Sequence, residues 1–181
     1  MMFSRVLWGC LTIVWLGWHC SGAGSAAQII VSRGVLRLAV PGDFHLNPAD
    51  SAWISKDGKT RIQVFHKTRK DTLQPNFSLS AEDWVVHVQD SLLHEAGYYY
   101  ISRPMNRFTG ALRGLFFVAA RDSQSLSRER LEVLILESPE WFHTLQVHLK
   151  GPPFRLNRDE LDELYDSASE IQKRTTSPSG S

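Results

Sequence analysis

ALRGLFFVAARDSQSLSRERLEVLILESPEWFHTLQVHLK, residues 111–150, is the stretch that decides how this chain folds. Ala111–Ala120, Arg128–Leu136 and Trp141–Lys150 are rich in aliphatic and aromatic residues that fit a pleated surface. Polar, turn-rich segments at 121–127 and 137–140 separate them, with Pro139 in the second. Three successive strands on such short links make an antiparallel meander. In the middle run Leu131, Val133 and Ile135 alternate with Glu132, Leu134 and Leu136. Both sides of that strand are largely apolar, which predicts a central strand covered on both faces.

Downstream, Gly151-Pro152-Pro153 ends the last strand. Asn157 with Glu160 forms a capping box. Leu161, Leu164, Tyr165, Ala168 and Ile171 then recur at steps of three and four, predicting an amphipathic helix over Arg158–Gln172. Upstream, Ser80 and Asp83 cap a second helix over Ala81–Ala96, stopped by Gly97. Its stripe of Trp84, Val85, Val88, Leu92 and Ala96 should lie on the sheet. Tyr98–Ser102 reads as a strand ended by Pro104, and Asn106–Gly110 as the turn into the meander.

Nearer the N-terminus, Val35–Val40 reads as a strand broken by Pro41-Gly42-Asp43. Phe44–Leu46 and the polar 47–51 are expected to be a loop. Ala52–Ser55 and Thr60–Lys67 flank a hairpin turn at Asp57-Gly58, with Ile62 and Val64 toward the core. The polar 69–78 segment, containing Pro75, reads as an exposed connection. The expectation is one α+β domain over 28–172, a central antiparallel β-sheet flanked by two amphipathic helices, with a disordered tail at 173–181.

Residues 1–27 have the form of a secretory signal peptide. Arg5 precedes the apolar run Val6–Trp18, and the small residues Ser21–Ala27 offer cleavage after Ala23 or Ala27. The run is shorter than the ~20 residues of a spanning helix. Membrane attachment would need retention of the leader or lipidation at Cys20, where the bulky Gly17-Trp18-His19 is a poor processing box. Both cysteines, Cys10 and Cys20, fall in the leader, so the mature domain has no thiol for disulfides, nucleophiles or metal ligation. Without Arg5, Lys+Arg and Asp+Glu both number 19, and no basic stripe is present, which argues against nucleic acid as partner.

No spacing calls for a cofactor or metal. His87 and His94 lie about 10.5 Å apart along one helix. His143 and His148, five apart on a strand, point to opposite faces. His45 and His66 are isolated in sequence. The carboxylates Asp159, Glu160, Asp162, Glu163 and Asp166 read as a solvated helix face. Ser91 lies near His87 and Asp90, but no strand–turn–helix nucleophile elbow surrounds it, and no phosphate or dinucleotide loop occurs. The residues singled out as a possible interface are Tyr98, Tyr99 and Tyr100, whose alternation turns at least one outward.

The order of elements, with Leu38-Ala39-Val40-Pro41-Gly42-Asp43-Phe44 near its start, resembles the PsbP-like fold of DcrB-type bacterial envelope proteins over Val35–Ile171. The resemblance implies α/β/α layers and a non-enzymatic envelope role. It carries no site residues across, and the poor lipoprotein box departs from the DcrB-type pattern. The expected function is therefore an exported, non-enzymatic binding or accessory protein of the bacterial envelope, acting through protein–protein contacts. A periplasmic immunity protein that neutralises a toxin, or an exported hydrolase whose site forms only in three dimensions, are the alternatives.

Overall fold

In chain order the computed structural model contains β1 (Gln28–Ser32), β2 (Leu36–Val40), β3 (Phe44–Asn47), β4 (Ala52–Ser55), β5 (Thr60–Thr68), α1 (Ala81–His94), β6 (Tyr100–Ile101), β7 (Met105–Thr109), β8 (Leu112–Asp122), β9 (Arg128–Glu137), β10 (Trp141–Lys150), α2 (Arg158–Asp166) and β11 (Ser169–Glu170). The structure describes residues 28–32, 35–70, 79–122, 128–151 and 154–171. The leader and the C-terminal tail lie outside the described residues.

The predicted meander is β8-β9-β10, antiparallel throughout. It is the middle of an eight-stranded sheet ordered β3-β4-β5-β10-β9-β8-β6, with β7 also on β8. As its pattern predicted, β9 is central and covered on both faces. Leu131, Val133 and Ile135 join Val85, Val88 and Leu92 of α1 in one core, while Leu134 and Leu136 join the core beneath α2. The second core also takes Leu36, Leu38 and Val40 from a small sheet ordered β1-β2-β11. The layers are therefore α1, the large antiparallel sheet, and α2 together with the small sheet.

Both capping boxes form as read, at Ser80/Asp83 and Asn157/Glu160. Helix α1 is seated by Trp84, whose indole Nε1–H donates to Thr144 Oγ1 at 3.1 Å. Gly97, at φ +69°, lets the Tyr98 N–H return to the Leu92 carbonyl and close the helix.

Four local expectations are corrected. Phe44–Leu46 is strand β3 and not loop, because the turn at 48–51 folds it back onto β4, and Phe44 is buried. The segment 106–110 is mostly strand β7, and the turn shrinks to Gly110-Ala111. The predicted Tyr98–Ser102 strand shortens to Tyr100–Ile101, with the Tyr99 and Ser102 N–H groups on either side also donating to β8 carbonyls. The last helix stops at Asp166 and does not run to 172. There the Ser167 hydroxyl bonds the Leu164 carbonyl and accepts the Ala39 N–H, steering the chain onto β2. Ala168 and Ile171 kept a helical spacing only by coincidence. Ala168 is buried beside β11, and the Ile171 N–H donates to Val35 O at 2.9 Å.

Helix α2 is held to the sheet by Leu161, Leu164 and Tyr165, all buried. A nine-residue helix is too short to persist alone in water, so this docking sustains it. Leu164→Ala is expected to cost about 3 kcal/mol in urea melts, and Glu163→Ala, at an exposed position, less than ~0.5 kcal/mol. Equal effects would refute the docked arrangement.

Candidate functional site: an exposed sheet edge and a buried carboxylate

Strands β6 and β7 follow one another along the outer side of β8. Among the described residues no strand pairs with the far side of β7, so its backbone groups there form an open edge. Apolar side chains crowd this edge: Phe108 is 71% exposed, Met105 57%, Tyr99 57% and Tyr100 54%. Helix α1 adds to it. Glu82 reaches Arg113, the neighbour of Phe108, at 2.6 Å, and Gln89 reaches the Ser102 carbonyl between β6 and β7 at 3.4 Å. Val86 and Leu93 share that helix face by their spacing, and both are exposed.

The tyrosine triplet divides. Tyr98 is buried, so its possible interface role is corrected. The Arg121 guanidinium lies 4.8 Å from its ring centroid, and burial raises its pKa. Arg121 also donates to the Ala96 carbonyl and to Glu129, so Tyr98 belongs to the joint between helix and sheet. Tyr99 and Tyr100 remain outside. Phe108 and Met105 escaped the sequence reading because Pro104 and Asn106 suggested a turn. The available signal was the run Met105–Thr109 itself, free of glycine and proline.

On the α2 face the fully buried Glu132 is the main polar feature. Its side chain is 0% exposed. It is ion-paired with Arg130 on the same strand face, accepts the Tyr165 hydroxyl at 2.7 Å, and lies 3.7 Å from Arg158. Burial and the adjacent carboxylate raise the Tyr165 pKa well above its ordinary value. Arg107 clamps the other side of α2, at 2.8 Å from both Asp162 and Asp166, with its guanidinium 5.0 Å from the Tyr165 ring centroid. The acid-rich helix face is thus partly an anchor. The sequence signal was Glu132 itself, a charge inside a strand apolar on both sides.

The histidines also meet unexpectedly. His66 and His143 occupy directly opposed positions on β5 and β10, with their Nδ1 atoms 2.8 Å apart. Burial, then the neighbouring His66, lowers the His143 pKa to about 4. His148 points to the opposite face, as its spacing predicted, and burial, followed by Arg61 and Arg121, lowers its pKa to about 4 as well. Among the described residues no group of three or more His, Cys, Asp or Glu could hold a metal ion. Among them, too, no helix is long and apolar enough to cross a membrane.

No family model and no curated protein matches the chain. Solved structures do. The crystal structure of LpqN, involved in cell envelope biogenesis of Mycobacterium tuberculosis, superposes with a TM-score of 0.51 at 10% identity, over 81% of this chain and 91% of that one. The solution structure of cyanobacterial PsbP from Synechocystis sp. PCC 6803 gives 0.50 at 12% identity, over 86% and 99%. The fold is PsbP-like. At such identity the likeness concerns the backbone arrangement, and in this PsbP-like domain the open β6–β7 edge and the Glu132 centre are described from its own residues.

Proposed function

We propose that this chain is an exported, non-enzymatic accessory protein of the bacterial cell envelope that works by holding another protein at its β6–β7 edge. The observation that carries the reading is that edge: a strand with no partner on its outer side among the described residues, flanked by Tyr99, Tyr100, Met105, Phe108, Val86 and Leu93, all exposed. Aromatic residues and methionine are enriched at protein interfaces, and an open strand edge can accept an added strand. The envelope setting is supported by the leader-like residues 1–27 and by the fold shared with LpqN.

Two measurements test it. Residues 1–27 fused to a reporter active only outside the cytoplasm should give activity, and an inactive reporter refutes export. A photo-crosslinking residue in place of Phe108, in the full chain in intact bacteria, should give a discrete adduct. The same residue at Lys56, in the β4–β5 turn, should not. Adducts of equal yield at both positions, or none at 108, would refute the edge as the working surface.

A further inference from the structure

A concavity of about 220 Å³ opens on the α2 face, where the ends of β9 and β10 meet the first turn of α2. Leu149, Phe154, Leu156 and Leu161 line its apolar part, and Arg130, Asn157 and Arg158 stand around it. Arg130 and Leu149 are opposed on β9 and β10, so the sheet itself places a guanidinium beside the apolar floor. The charges here balance overall: Arg130 and Arg158 face Glu132 and Asp162. Their hydrogen-bond donors do not. Arg130 spends an Nη on Glu132, while its Nε–H is buried with no acceptor among the described residues. Arg158 places Nε and Nη2 on Asp162 at 3.1 Å each, but its Nη1 is 3.7 Å from Glu132. A guanidinium offers five donors in a fixed fork suited to an oxyanion. One buried donor without an acceptor, Arg130 Nε–H, and the solvent-facing Nη1 of the half-exposed Arg158, beside a small apolar hollow, make a site for a group that supplies both an oxyanion and an apolar chain.

We infer that this hollow binds a short single-chain amphiphile, its apolar end among Leu149, Phe154, Leu156 and Leu161 and its oxyanion head, carboxylate or phosphate, on Arg130 and Arg158. The volume lies below the ~300–1,000 Å³ of ordinary small-molecule sites, so only a short chain or chain end fits. Because the surrounding charges cancel, the head is selected by directed hydrogen bonds, and affinity should change little with salt compared with a site built on excess charge.

The probes are octanoate, octyl phosphate and octanol, titrated calorimetrically into the mature chain. Saturable one-to-one binding of an anionic probe, at least tenfold tighter than octanol, is expected. Arg158→Gln, which leaves the Arg130–Glu132 pair in place, should weaken the anion tenfold or more and leave octanol unchanged. Phe154→Trp, which fills the hollow, should abolish both. A stronger response to octanoate assigns a fatty carboxylate, and one to octyl phosphate a lipid phosphate. No saturable binding up to millimolar concentration, or octanol binding as tightly as the anions, overturns the inference. So does Arg158→Gln without effect while Phe154→Trp blocks.

Discussion

Arg130→Gln is expected to destabilise the domain by about 3–5 kcal/mol, because it strands the Glu132 carboxylate in a site with no access to water. The two members of this pair are not equivalent. The Arg130 side chain is 36% exposed and Glu132 0%, so a widowed arginine can turn to solvent and a widowed glutamate cannot. Glu132→Gln should therefore cost much less, on the order of 1 kcal/mol, as an amide can still pair with Tyr165 and Arg130. The double variant Arg130→Gln/Glu132→Gln should regain most of what the arginine variant lost. A double-mutant cycle by urea denaturation reads the coupling directly. A coupling near zero would mean that Tyr165 and Arg158 alone hold the carboxylate and that Arg130 is a surface residue.

Acidification from pH 7.5 to pH 5 should remove about 4 kcal/mol of stability, well before the carboxylates titrate. His143 and His148 both have folded pKa values lowered to about 4, from an ordinary 6.5. Burial is the main cause in each. The unfolded chain takes up these protons as the pH falls below about 6.5, and the folded chain resists until about 4, so stability is complete above the first value and is lost on descent to the second. Linkage gives ~2 kcal/mol per group at pH 5. With a typical total of ~5–15 kcal/mol, that is a large fraction. Urea midpoints measured across this range should fall, and His148→Gln should remove about half of the slope. Constant midpoints from pH 7.5 to 5 would show that the imidazoles are hydrated in solution.

Much of the architecture was legible in local patterns. The meander, the double covering of β9, both capping boxes and the apolar stripe of α1 each follow from residue spacing over ten or so positions. Those are short-range preferences, and tertiary structure had no reason to override them. What failed was also consistent. β3, β7 and β11 are short edge strands whose sequences carry proline neighbours, polar residues or an accidental helical period. Their strand state comes from hydrogen bonds to β4, β8 and β2, partners that no local window contains.

The candidate sites show the same division more sharply. By itself the sequence determined that Tyr98, Tyr99 and Tyr100 must split between faces, that Glu132 lies inside an apolar strand, and that His143 and His148 point apart. Only the tertiary structure decided that Tyr98 is the buried one, that Phe108 and Met105 stand on an open edge, that Glu132 is matched by Arg130 and Tyr165, and that His66 faces His143 from 77 positions away. Alternation along a strand is a property of the backbone and can be read from one segment. Which face is covered, and by what, depends on packing between segments distant in the chain, where the free energy of burial and charge pairing is settled.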